Sequence, residues 1–109
     1  PELLMHSNEP ISEQYRLAAK EWVDADSSAS LLEETKSAVL SQMMQKQGDM
    51  PVSRAELNVK ASPEWHLFIG DMVAARKQAN FLKVKVEWLK MRHREWISAD
   101  ANQRAEMKL

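Results

Sequence analysis

Apolar residues recur at alternating steps of three and four along two long stretches of the chain. The first stretch runs from about Ser12 to Gln47 and is interrupted once, by Lys36. An average step of 3.5 residues is typical of a helix that packs along a narrow coiled-coil seam. We therefore predict a long first helix of about 54 Å at the standard rise. The members of this first seam are Tyr15, Ala18, Trp22, Ala25, Ala29, Leu32, Val39 and Met43.

The second stretch is longer, and its start is well marked. Ser62 is a preferred N-cap residue, and Pro63 suits the first position of a helix because its missing N–H would have no partner there. The pattern predicts a helix from Pro63 to about Met107, some 65 Å long. The members of this second seam are Trp65, Phe68, Met72, Ala75, Ala79, Leu82, Val86, Leu89, His93 and Trp96.

The segment between the two seams contains residues that end one helix and begin another. Gly48 stands where a left-handed C-terminal cap is expected, and Pro51 prevents easy continuation of the first helix. Ser53 and Glu56 have the spacing of a capping box, which predicts a short helix over roughly 54–61.

These elements predict an all-α protein built as a long antiparallel helical hairpin, with a short helix in the connection. Small residues near the middle of both seams, such as Ala29 and Ala79, would let the two long helices approach closely. We expect residues 1–11 to form a flexible N-terminal segment and residues 12–109 to form a single helical domain.

A hairpin of two helices cannot cover all the apolar residues of this chain. Several lie off both seams and would stay exposed on a single chain. We therefore predict a homo-oligomer larger than a dimer, which associates through coiled-coil-like seams. The off-seam residues are Leu31, Leu40, Met44, Ile69, Val73, Val84, Trp88 and Ile97.

The composition excludes several kinds of chemistry. The 109 residues include no cysteine, three histidines and two glycines. Thiolate metal sites, thiol nucleophiles and glycine-rich phosphate loops are therefore excluded, and no two histidines have metal-ligand spacing. We expect neither catalysis nor a metal or cofactor. No apolar run approaches the roughly 18 residues that span a membrane, so we expect a cytoplasmic protein without membrane contact.

The formal net charge of −1 conceals two opposed blocks. Residues 1–75 hold six basic and twelve acidic side chains, whereas residues 76–94 hold seven basic side chains and a single acid, Glu87. Such a division indicates either a polyanionic partner or pairing between the blocks, within one chain or between chains. The seven basic residues are Arg76, Lys77, Lys83, Lys85, Lys90, Arg92 and Arg94.

Most of these basic residues form two ridges beside the second seam. Arg76, Lys83 and Lys90 recur every seven residues on one flank of the helix, and Lys85 and Arg92 are seven apart on the other. Residues with this spacing stay on the same side of a helix that follows a heptad pattern.

The ridges have two interpretations. They can be ordinary coiled-coil flanking charges that pair with acids of the first helix, such as Glu21, Glu33 or Glu34. Alternatively, they bind a nucleic-acid backbone by displacing condensed counterions, and Phe81 and Trp88 stack on bases. Both aromatic residues are equally compatible with a core or a subunit interface.

Six short strings follow one another along the chain. They are L-L-E-E-x-K-S-A-V-L (Leu31 to Leu40), S-x-A-E-L (Ser53 to Leu57), S-P-E-W (Ser62 to Trp65), A-R-K-Q-A-N (Ala75 to Asn80), E-W-I-S (Glu95 to Ser98) and R-A-E-M (Arg104 to Met107). Their order resembles that in small helical proteins that phages and prophages encode near their recombination genes. More distantly, it is similar to the UvsY-type recombination mediators, over roughly residues 20–109.

The resemblance implies a helical protein that assembles into rings, binds single-stranded DNA and helps load a recombinase onto strands covered by single-strand-binding protein. Our leading hypothesis is accordingly a non-enzymatic single-stranded DNA-binding accessory protein of phage recombination or replication. Its DNA-binding residues would be the seven basic residues of 76–94. A helical adaptor or inhibitor that binds a host or phage protein, or a structural coiled-coil subunit, is the alternative.

Overall fold

The computed structural model describes residues 10–107, which form three α-helices and, within that range, no strand. Helix α1 spans Ile11–Gln45, α2 spans Val52–Lys60 and α3 spans Pro63–Met107. The chain is an antiparallel helical hairpin with a short helix in its connection, so the predicted fold class is confirmed. Most of the predicted segment 1–11 lies outside the described residues, and the predicted single domain stays a prediction.

The capping features predicted at the end of α1 and at the start of α3 are present. Gly48 has a φ of 89°, a left-handed conformation that favours glycine because it has no side chain to clash. At the start of α3, the backbone N–H of Trp65 donates a hydrogen bond of 3.3 Å to the hydroxyl oxygen of Ser62. Ser62 therefore caps α3, as the sequence predicts.

The predicted capping box of α2 is wrong. The N-cap is Pro51, it makes no side-chain cap hydrogen bond, and Ser53 lies inside the helix. The carbonyl oxygen of Pro51 accepts hydrogen bonds from the N–H groups of Arg54 and Ala55, so the backbone closes the first turn without the serine. Glu56 instead forms an ion pair of 2.8 Å with Lys60, one turn further along α2.

One compact unit combines the chain up to Asp24 with the chain from Asn80 onward. Its core cluster joins Ala18 of α1 to Val86 and Leu89 of α3. Tyr15, Ala19 and Trp22 pack against this cluster and remain partly exposed. The two predicted seams therefore meet here, with small residues of α1 facing branched aliphatic residues of α3.

The other compact unit comprises Ala25–Ala79 and contains α2. Ala29 and Ala79 are both 0% exposed, which agrees with their predicted role as small packing residues. Val59 of α2 is also buried. Trp65 is buried at the start of α3, and its ring stacks on that of Phe68 with the centroids 5.7 Å apart. The short connecting helix thus contributes to the core of this unit.

The second seam ends earlier than predicted. Trp96 is 60% exposed, and its ring stacks on His93 with the centroids 6.3 Å apart. The first residues of α1, including Ile11, line a cleft of about 200 Å³ with these two rings.

Candidate nucleic-acid interface

All seven basic residues predicted to bind nucleic acid lie on α3, and the structure divides them into two groups. Arg76 is partly buried, with 30% of its side chain exposed, and it is ion-paired. The other six are exposed and lie within α3. These six, which we call the free cations, are Lys77, Lys83, Lys85, Lys90, Arg92 and Arg94.

Arg76 is held by three side chains of α1. Its Nε and Nη2 donate to the two carboxylate oxygens of Glu33, at 2.9 and 2.7 Å. Its Nη1 donates to Oδ1 of Asp26 at 2.6 Å, and Nη2 also donates to the hydroxyl oxygen of Ser30 at 3.1 Å. The two-pronged contact with Glu33 uses the planar guanidinium as a lysine could not. Arg76 is therefore a coiled-coil flanking charge that pairs with acids of α1, as the first interpretation of the ridges predicts.

The sequence identifies Glu33 as a possible partner of the basic ridge but does not single out Asp26 or Ser30. Residues 26, 30 and 33 follow steps of four and three on α1, so they share one face of that helix. From that spacing, the sequence could have predicted all three partners of Arg76.

The contact between Arg76 and Glu33 shifts the pKa values of both groups. The hydrogen bond from Arg76 lowers the pKa of Glu33 below the ordinary value of 4.5, and the positive charge of Arg76 lowers it further against partial desolvation. The same contacts with Glu33 and Asp26 raise the pKa of Arg76. Glu33 and Arg76 therefore both stay charged across the neutral range.

The lowered pKa of Glu33 makes stability sensitive to acid in a defined direction. Its contribution is fully present above about pH 4.5 and is lost as the pH falls through the lower pKa of the folded chain. We expect the free energy of unfolding of Glu33→Gln, measured by urea titration, to fall less steeply than that of the parent between about pH 6 and about pH 3. Glu34→Gln is the matched control. If it reduced the slope as much as Glu33→Gln, the pairing with Arg76 would not be the cause.

The free cations have no carboxylate within 4 Å anywhere in residues 10–107. Glu21 and Glu34, the other predicted partners, likewise form no ion pair in that range. The seven-residue spacing places Lys83 and Lys90 on one flank of α3, and Lys85 and Arg92 on the other. Within residues 10–107 of a single chain, pairing of the basic ridges with acids of α1 is therefore seen at Arg76.

Two aromatic side chains lie among the free cations. Phe81 is 65% exposed and Trp88 is 51% exposed. The guanidinium carbon of Arg92 lies 5.1 Å from the centroid of the Trp88 ring, a cation–π distance. Neither aromatic residue belongs to the core of the described chain, so both are accessible to a base or to another protein surface.

The described part of the chain contains neither a candidate metal site nor a candidate membrane-spanning helix. Among residues 10–107 no three histidine or acidic side chains come together in a way that could hold a metal ion. Over the same range, none of the helices is both long and apolar enough to cross a membrane. The predicted histidine on the second seam, His93, is half-buried against Trp96.

Comparison with known proteins adds no relative. No family model, curated protein or solved structure matches the chain.

Proposed function

We propose that this chain is a non-enzymatic accessory protein of phage recombination or replication that binds single-stranded DNA. The observation that carries the proposal is the state of the free cations: six exposed basic side chains on one segment of α3, without a carboxylate partner in residues 10–107. Cations that no carboxylate neutralises are available to displace the counterions condensed on a nucleic-acid backbone.

In this proposal, basic residues on both flanks of α3 contact DNA, whereas Arg76 has a structural role. Lys83, Lys90 and Arg94 contact phosphates on one flank, and Lys85 and Arg92 on the other. Arg76 keeps its three partners on α1 and holds the two helices together at the edge of the basic segment.

An assembly of several chains compensates for the small number of free cations on one chain. One chain offers six free cations, whereas its net charge is −1, so a single chain is expected to bind a polyanion weakly. An assembly of several chains raises the overall affinity because the second and later contacts become intramolecular. We therefore include a homo-oligomer in the proposal, acting in the cytoplasm beside a recombinase or a single-strand-binding protein.

A titration with a fluorescent single-stranded oligonucleotide tests the proposal directly. We expect saturable binding at about 50 mM salt that weakens steeply at about 200 mM, because released counterions make log K fall linearly with log salt. A double-stranded oligonucleotide of the same length is the matched comparison. Absence of binding at the lower salt concentration would overturn the DNA proposal.

A second function has one observation in its favour. Four exposed apolar residues of α3 lie on the side of the helix away from the buried Val86 and Leu89, and a partner helix could cover them. They are Phe81, Val84, Trp88 and Met91. If the titration shows no binding of DNA, a helical adaptor or inhibitor that acts on another protein becomes the better account of the chain.

A further inference from the structure

Two exposed aromatic residues of α3 each stand four residues before a basic residue. Phe81 precedes Lys85, and Trp88 precedes Arg92. Residues four apart are neighbours on the surface of a helix, so each ring has a cation beside it. Phe81 is 65% exposed and Trp88 is 51% exposed, and both basic residues are exposed as well. We call Phe81 with Lys85, and Trp88 with Arg92, the two aromatic–cation pairs.

The second aromatic–cation pair is in contact within the chain. The guanidinium carbon of Arg92 lies 5.1 Å from the centroid of the Trp88 ring, so the cation is held beside the aromatic surface. Neither Lys85 nor Arg92 has a carboxylate within 4 Å in residues 10–107. Each pair therefore presents an exposed aromatic ring together with a positive charge that no carboxylate neutralises.

Both rings lie on the side of α3 away from its buried residues. Trp88 is two residues from the buried Val86, which corresponds to a rotation of about 200° around the helix axis. Phe81 is five residues from Val86, which corresponds to about 140° beyond a full turn. A ligand can therefore reach both rings without displacing α1.

The two pairs repeat at a distance of seven residues. Seven residues of an α-helix rise by about 10.5 Å and turn to within about 20° of two full turns, so the two rings lie on nearly the same face of α3. Bases in a duplex are stacked on one another at a rise of about 3.4 Å, and their faces are covered by neighbouring bases. A single strand can turn its bases outward and place them on aromatic side chains.

Trp96 is also exposed on α3 but does not form such a pair. It is 60% exposed, and the residue four positions later is an acid, Asp100, whose carboxylate pairs with Arg104 at 3.0 Å. The ring of Trp96 stacks on that of His93. A phosphate on that side of Trp96 would meet a negative charge, so exposure of an aromatic ring does not by itself define a site for DNA.

We propose that the two aromatic–cation pairs distinguish a single strand from a duplex. Phe81 and Trp88 each stack on one base, and Lys85 and Arg92 each bind a phosphate beside that base. This assignment rests on the proposed function and adds selectivity to it, because phosphates are present on both kinds of DNA whereas open base faces are present on the single strand. Every base has a π face, so binding is tolerant of sequence.

Replacement of Trp88 tests the stacking. Trp88→Leu keeps an apolar side chain and removes the aromatic face, and we expect it to weaken binding of a fluorescent single-stranded oligonucleotide about tenfold. The slope of log K against log salt should equal the parental slope, because no cation is lost. Binding of the duplex of the same length should not change. Trp88→Phe, which keeps an aromatic face, should retain most of the parental affinity.

Trp96→Leu is the matched control, since it makes the same change at a similarly exposed position of α3, and it should keep the parental affinity. Circular dichroism checks that every variant keeps its helix content. If the parent binds the single strand but Trp88→Leu loses no more affinity than Trp96→Leu, the stacking is overturned and the proposed function stands. A parent that binds the duplex as tightly as the single strand would overturn the selectivity. A parent that binds neither at about 50 mM salt would overturn the proposed function as well.

Discussion

Replacing Leu89 with alanine is expected to lower the free energy of unfolding by about 2–5 kcal/mol. Leu89 is 3% exposed and belongs to the core cluster with Ala18 and Val86. Its neighbours across the hairpin include small side chains that cannot expand into the space left behind. The lost transfer free energy is therefore added to the cost of a cavity. Urea denaturation followed by circular dichroism, at one fixed protein concentration, measures the change.

Leu31→Ala is the matched control for this substitution. It removes the same atoms from a leucine that is 62% exposed on α1, so little apolar burial is lost, and a change of under about 1 kcal/mol is expected. Equal losses for the two variants would contradict the assignment of Leu89 to the core. An unchanged stability in Leu89→Ala would show that the second seam is in the wrong register.

Reversing the charges of Lys83 and Lys90 together is expected to produce the largest loss of DNA affinity. In the proposed function both residues contact phosphates from one flank of α3. The double change to glutamate should weaken binding to all single-stranded sequences alike. It should also flatten the dependence of log K on log salt by roughly 0.7 for each lost contact. The oligonucleotide titration described above, repeated over a series of salt concentrations, gives both quantities.

The same double variant also separates DNA contact from structural pairing. Neither lysine has a carboxylate within 4 Å in residues 10–107. The free energy of unfolding of the double variant should therefore stay close to the parental value. Lys20→Glu with Lys36→Glu changes the net charge equally on α1 and serves as the control. If both double variants weakened binding equally, general electrostatic attraction would explain the result and the ridge would have no special role.

The local elements of the fold could be predicted well because their signals are local. The steps of three and four place the two long helices, and the Ser62-Pro63 start of α3 is a property of neighbouring backbone groups. The capping box at Ser53 shows the limit of such signals. Pro51 already supplies a suitable φ of −57° and a free carbonyl oxygen, so α2 begins earlier and the serine is not needed as a cap.

The candidate site could be predicted only in part. The basic segment of α3 is visible in the sequence, but the sequence alone treats its seven residues as equivalent. Arg76 differs from Lys83 and Lys90, although all three share a seven-residue spacing, because only Arg76 lies beside acids of α1 that it can reach. The separation of one structural arginine from six free cations is therefore a tertiary result.

The sequence by itself determined the helical class, the two seams and the excess of positive charge on one segment, because helix periodicity and composition depend on residues close together in the chain. Only the tertiary structure decided which charges meet and where each seam stops. The contact between Arg76 and Glu33 joins residues 43 positions apart, and Trp96 is 60% exposed although the pattern places it on the second seam. Both follow from the alignment of one helix against the other. Ala18 and Ala29 are both buried, but side chains this small are compatible with several registers when the sequence is considered alone.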